Sequence, residues 1–180
     1  MPLAAKSEIL IRVLDPGEGL ESLTSLLHRA YRPLLEMGLN YKATRQDVAT
    51  TKRRVEEGIC FVAELEGRIV GTVTLSFEPT DWINDYYRKA GVWRFGQFAV
   101  EPDLQGKGIG RRLLSHIERH ASDAGAVELA LDTAVPAVHL IEYYERHGYR
   151  TVDSCQWPGH TYESVVMSKR LVTSKGAESV

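Results

Sequence analysis

The chain has 180 residues, 43% hydrophobic and 26% charged, with 22 Lys+Arg against 24 Asp+Glu for a formal net charge of −2. That balance excludes disordered, collagen-like and coiled-coil readings, and the length suits one domain that buries roughly 70% of its unfolded surface. Without a basic excess a general nucleic-acid surface is not expected, and the two cysteines, Cys60 and Cys155, make neither a disulfide framework nor an all-cysteine zinc site.

In chain order, residues 1–8 carry no basic stretch followed by an apolar run, so no signal peptide is expected. No apolar run approaches the roughly 20 residues that cross a bilayer. The expectation is therefore a soluble protein of the reducing cytoplasm. Residues 8–14 read as a strand ended by Asp15-Pro16-Gly17. Leu20, Leu23, Leu26 and Leu27 then repeat at helical spacing, and Arg32-Pro33 is expected to close or kink that helix. A second helix is expected over 44–57, with Thr44 as its cap, Lys52-Arg53-Arg54 on its solvated face and Gly58 at its end. Strands at 59–65 and 68–77 flank Glu66-Gly67, a hairpin turn. Residues 80–91 are irregular and aromatic.

Val92 to Val100 reads as a strand broken by Pro102-Asp103. A glycine-rich loop over 105–110 leads into a helix whose inner face carries Leu113, Leu114, Ile117 and Ala121. Residues 127–131 form a short strand. Pro136 suits the first turn of the next helix, where Ala137, Leu140, Ile141 and Tyr144 share a face that Gly148 ends. Two strands, near 149–156 and 162–171, close the chain. The order βααβββαβαββ implies a mixed sheet with hairpins and one parallel crossover, over 92–131. Residues 1–172 are expected to be a single domain, and 173–180 a polar tail.

The segment that carries chemistry is Gln105-Gly106-Lys107-Gly108-Ile109-Gly110-Arg111-Arg112. Three glycines between a strand and a helix let backbone N–H groups approach a ligand, and the helix start adds unpaired N–H groups and a positive dipole end. Together these favour a phosphate site, to which Lys107, Arg111 and Arg112 add charge. A nucleotide P-loop does not fit, because Glu101 stands at its first glycine and Gly108 at its Ser/Thr. The dinucleotide fingerprint also fails, since its third glycine would be Arg111 or Leu113. Asp132, about twenty residues on, is its single match.

Gln105-x-x-Gly108-x-Gly110 resembles the pyrophosphate loop of the GNAT N-acetyltransferase superfamily. Phe98-Ala99-Val100-Glu101-Pro102 resembles that family's fourth strand and its exit. Tyr144-Glu145-Arg146-His147-Gly148-Tyr149 resembles its Tyr-x-x-x-Gly-[Phe/Tyr] segment. The element order agrees from about residue 8 to 171.

The resemblance implies an α/β fold: a mixed, mostly antiparallel sheet of about seven strands, with a splayed parallel pair (strands 4 and 5) and flanking helices. It also implies acetyl-CoA as cosubstrate, no metal, and transfer of acetyl to a primary amine by direct attack in a ternary complex. The N–H groups of Gly106, Lys107, Gly108, Ile109, Gly110 and Arg111, with Gln105, would hold the CoA pyrophosphate. Phe98, Ala99 and Val100 would pair with the pantetheine arm, one N–H polarising the thioester carbonyl. Tyr144 matches the general acid that protonates the departing thiolate.

Ala137 stands where many members carry Asn, so that CoA contact is absent or comes from His139 or a backbone group. The base remains open among Glu101, His139, His160 and Gln97 through a water. Cys155 is read as a packed thiol rather than a nucleophile.

The acceptor site is implied near 31–43 and 156–161, with Tyr31, Tyr41, Trp82, Tyr87 and Trp157 as candidate walls and Asp81 and Asp85 as candidate acids. A peptide or protein amine and a non-catalytic CoA-binding module stay open as alternatives. Neither a membrane nor nucleic acid is an expected partner, and a homodimer is compatible with the family.

Overall fold

The computed structural model describes residues 8–77 and 84–172. The expected tail 173–180, with Asp81 and Trp82, lies outside the described residues. In chain order the elements are β1 (Leu10–Val13), α1 (Leu20–Glu36), α2 (Val48–Glu56), β2 (Ile59–Leu65), β3 (Arg68–Ser76), β4 (Val92–Val100), α3 (Ile109–Asp123), β5 (Glu128–Ala134), α4 (Val138–Arg146), β6 (Arg150–Cys155) and β7 (Ser164–Arg170).

The apolar run of β2 decides the layering. Successive strand side chains point to opposite faces. Phe61 and Ala63 therefore pack with Leu113, Leu114 and Ile117 of α3, while Cys60 and Val62 pack with Leu23, Leu26 and Leu27 of α1. A strand apolar on both faces has to be covered on both, and the sheet lies between helical layers.

The sheet has 7 strands in the order β1-β2-β3-β4-β5-β7-β6. Only β4 and β5 pair in parallel. Their ladder is short: Val92, Trp93 and Arg94 face Glu128, Leu129 and Ala130. Past Arg94 the strands part. On its other side β4 changes register with β3 between Thr72 and Thr74, and Gln97 there has a left-handed φ of 49°. An extra residue of this kind bends a strand and adds twist.

Four local expectations are corrected. Of the two outcomes expected at Arg32-Pro33, closure does not occur: Pro33 lies within α1. Its missing N–H costs one helical bond, and the turn it begins buries Leu34 with Leu39 and Tyr162. Thr44 does not cap α2. Its hydroxyl donates to the Tyr41 carbonyl at 2.6 Å, and Asp47 is the cap, accepting from the Thr50 N–H at 2.7 Å. Gly58 does follow the C-cap of α2, Glu57, but without the left-handed conformation of a glycine cap; a Cβ at 58 would lie 2.1 Å from the Leu75 carbonyl oxygen, so close backbone approach demands glycine. Pro136 precedes the N-cap of α4, Ala137, instead of entering its first turn.

Candidate active site

Two cavities open where β4 and β5 part. The first has a volume of about 540 Å³ and is lined by Phe98, Ala99 and Val100 of β4, by Gln105, Gly106, Gly108, Gly110 and Arg111, and by Tyr143 and Tyr144 of α4 with its C-cap His147. Gly108 is the N-cap of α3 at a φ of 85°, a conformation natural to glycine. The unpaired N–H groups and positive dipole end of α3 are at this cavity. Gln105 ties the loop to the strand end, its Nε2 donating to the Val100 carbonyl at 3.2 Å.

Three members of the loop stand differently from the rest. Lys107 is exposed and does not line the cavity. The Ile109 side chain enters the core beside Leu113 and does not line the cavity. Arg112 points elsewhere, donating to the Ile9 carbonyl at 2.8 Å.

Tyr144 is 7% exposed and packs edge-to-face on Phe95 and Tyr149, at 6.0 and 5.9 Å. It is thus a core aromatic that also borders the cavity. Burial pushes its hydroxyl well above the usual phenol value, so the group stays protonated. Tyr143, read from sequence as packing or surface, borders the same cavity and stacks on His147 at 4.4 Å. Ala137 is fully buried with Leu34, Leu39 and Tyr162. The start of α4 therefore offers backbone but no polar side chain at this position, and His139 is exposed and lines neither cavity.

The second cavity, of about 510 Å³, lies beside the first. Tyr31, Tyr41 and Asp132 border both, so they stand where the two meet. Trp157, His160 and Tyr162 form one wall; Gly96 and Gln97 of β4 and Arg53 and Arg54 of α2 form others.

Asp132 is held by three donors. Tyr87 Oη and Arg94 Nη2 reach its Oδ1 at 3.0 and 2.8 Å, and Trp157 Nε1 reaches Oδ2 at 2.9 Å. Tyr87 is thereby a buried support for Asp132 rather than a cavity wall. Gln97 is engaged at both ends, accepting from Gln46 Nε2 at 2.9 Å and donating to Thr74 Oγ1 at 3.3 Å.

The structure separates the candidate bases. Glu101 lines neither cavity. Arg29 pairs with it at 2.8 Å and holds its carboxyl below the usual range. His160 lines the second cavity, and both its ring nitrogens are buried without a hydrogen-bond partner. Burial lowers its pKa, so the neutral ring is favoured. Cys155 packs near Tyr87 and Val92, and burial pushes its thiol up to about 12, which makes it a poor nucleophile. Asp85 is exposed and pairs with Arg88 at 3.0 Å, away from both cavities.

Two residues of the second cavity escaped the sequence reading. In sequence, Asp132 stands out only as the single match to a ribose-binding acid. Arg54 was assigned to a solvated face, although its helical spacing from the fully buried Thr51 places it on the inner side of α2.

Comparison with known proteins agrees with the architecture. The GNAT acetyltransferase family model matches residues 20–149. The S-(2-succino)cysteine N-acetyltransferase of Bacillus subtilis is 36% identical over 154 residues, covering 84% of this chain and 90% of that protein. The S-alkylcysteine N-acetyltransferase of the same organism is 26% identical over 162 residues, covering 88% and 87%. Among solved structures, the PaiA N-acetyltransferase of Thermoplasma acidophilum in complex with coenzyme A superposes with a TM-score of 0.68 at 17% identity, over 91% of this chain and 99% of that one. With the glycine loop, the splayed strands and the tyrosine helix meeting on one gap, and a family model spanning most of the sequence, the chain belongs to the GNAT acetyltransferase family and is an acyltransferase.

Proposed function

We propose that the protein moves an acetyl group from acetyl-CoA to the primary amine of a small molecule, by direct attack within a ternary complex. The observation that carries this reading is the pair of cavities meeting at Tyr31, Tyr41 and Asp132, which lets thioester and amine be held on either side of one gap. Holding two reactants in place removes much of the entropic barrier to a bimolecular step. A cavity of about 510 Å³ walled by Tyr31, Tyr41, Trp157 and Tyr162 suits a small acceptor better than a peptide. The relatives acting on cysteine S-conjugates, and the solved neighbour holding coenzyme A, support the same reactants.

In this reading the N–H groups of residues 106–111 hold the pyrophosphate, with Arg111 beside them. The β4 backbone at Phe98 and Val100 pairs with the pantetheine arm, and an N–H of that strand polarises the thioester carbonyl. Asp132 receives the acceptor's ammonium. The ammonium passes one proton to His160, and the freed nitrogen lone pair attacks the carbonyl carbon. The C–S bond then breaks, and Tyr144 gives its proton to the thiolate. The nitrogen's next proton restores Tyr144, so the amide and free CoA leave with one net proton released.

The test is acetyl-CoA-dependent thiol release with S-(2-succino)cysteine, S-methylcysteine and a short peptide as acceptors, with the products weighed by mass spectrometry. Release and N-acetylation with the cysteine conjugates are expected. Acetylation of the peptide alone, or of nothing, rejects the reading.

Removing His160 tests the base. The wild-type kcat/KM should fall on the acid side with a midpoint below 6.5, because burial lowers the pKa of this ring. His160→Gln should cost about 10²-fold in kcat and lose that limb, while the limb of the acceptor's own ammonium at higher pH stays. An unchanged acid limb removes His160 from proton transfer.

A further inference from the structure

The charges around the second cavity do not balance. Lys42, Arg53, Arg54 and Arg94 line it, against Glu57 and Asp132. Arg94 and Asp132 close on each other at 2.8 Å. Among the described residues, Lys42, Arg53 and Arg54 form no ion pair.

Arg54 is the informative one. Lys42 and Arg53 are exposed, but the Arg54 side chain is half-buried and faces the cavity from α2. Its hydrogen bond among the described residues is to a neutral atom: Nη1 donates to Gln46 Oε1 at 2.6 Å. Gln46 is itself buried and anchored, its Nε2 donating to Thr51 Oγ1 at 2.8 Å and to Gln97 Oε1 at 2.9 Å. The guanidinium is thus held in one place while most of its five donors stay uncommitted. Burial works against its charge, lowering its pKa. Glu57 and Asp132 act on it only at a distance, without a direct ion pair, and a partly desolvated cation gains from an anion that pairs with it directly.

Resting on the proposed amine acetylation, we infer that Arg54 binds a carboxylate of the acceptor, so that the substrate is an amino acid or amino-acid conjugate rather than a plain amine. The two ends of such a molecule match the two fixed charges of the cavity. The ammonium goes to Asp132 at the junction with the first cavity, and the carboxylate goes to Arg54. The planar guanidinium offers paired N–H donors that fit a carboxylate in two-point fashion. Lys42 and Arg53 at the rim extend the positive field, which also suits a conjugate carrying a second carboxylate.

The test compares S-methylcysteine with S-methylcysteamine, the same amine without its carboxylate, in the wild type, Arg54→Met and Arg54→Lys. The wild type should favour S-methylcysteine in kcat/KM by about 30-fold or more, the scale of a charge-assisted hydrogen bond. In Arg54→Met that ratio should fall to within about threefold, mostly through KM, and Arg54→Lys should restore part of it, since a point charge remains without the paired donors. A merely structural role, acting through Gln46 and Gln97, lowers both acceptors together and leaves the ratio intact, which would overturn the inference. A wild-type ratio near one, or preference for O-phosphoethanolamine over S-methylcysteine, would overturn it too while leaving acetyl transfer standing.

If neither amine is acetylated, and S-(2-succino)cysteine is not either, the proposed function fails, and calorimetry on the enzyme–CoA complex decides the subsite separately. Binding of S-methylcysteine by the wild type that Arg54→Met loses supports the carboxylate subsite. Equal or absent binding rejects it.

Discussion

Gly108→Asp is expected to abolish measurable acetyl-CoA binding while leaving the fold in place. A Cβ at this position meets no protein atom within 4 Å, so the substitution creates no clash inside the chain. Aspartate also tolerates a left-handed backbone better than most residues and is a favoured helix N-cap. The left-handed φ of 85° costs it some backbone strain, but the larger effect is at the ligand site: its carboxylate takes up N–H groups that otherwise stay open and puts a negative charge at the helix start. A like-charge contact at about 4 Å, in the effective dielectric of a protein surface, costs about 4 kcal/mol, roughly 10³-fold in affinity. Calorimetric titration with CoA checks it, with thermal melting as the control for folding. Gly108→Ala separates the causes, since it carries the backbone strain without the charge and should bind CoA far better. Affinity within about tenfold of wild type in Gly108→Asp would remove the loop from the phosphate site.

Tyr144→Phe is expected to lower kcat by about 10²-fold, with KM for acetyl-CoA changed by no more than about twofold. The change keeps the ring that packs on Phe95, Tyr143 and Tyr149. Among the described residues the hydroxyl makes no hydrogen bond, so its loss should not weaken the fold. What disappears is the proton for the departing thiolate. Because burial holds the phenol protonated well above its ordinary value, Tyr144 should add no alkaline limb to the pH profile in the accessible range, and the two enzymes should share their alkaline behaviour. Steady-state turnover at saturating acceptor is the measurement. An unchanged kcat would mean that solvent or another group protonates the thiolate.

The parts of this protein that could be read from sequence are those whose physics is local. The β4 strand, the hairpin at Glu66-Gly67 and the inner face of α3 with Leu113, Leu114, Ile117 and Ala121 follow from periodicity and turn chemistry within a few residues. The misread positions are those where a distant partner outweighed a local rule. Pro33 stays helical because its turn buries Leu34 against Leu39 and Tyr162. Gly58 is small because the backbone at Leu75 passes close by.

The same division runs through the site. By itself the sequence determined the glycine loop, because unpaired N–H groups and a positive dipole at a helix start belong to a handful of consecutive residues. It also determined the phase of Tyr144, because helical spacing turns that residue inward with Leu140 and Ile141. Only the tertiary structure decided the second cavity and its charges. Arg54, Asp132 and His160 come from α2, from β5 and from the connection before β7, segments far apart in the chain. They converge because β4 and β5 part after Arg94, next to a bulge that holds Gln97 at a φ of 49°. Nothing in the local sequence asks a glutamine to adopt that conformation. The surrounding sheet and the bonds from Gln46 and to Thr74 hold it there, and contacts of that range have no signature in a linear pattern.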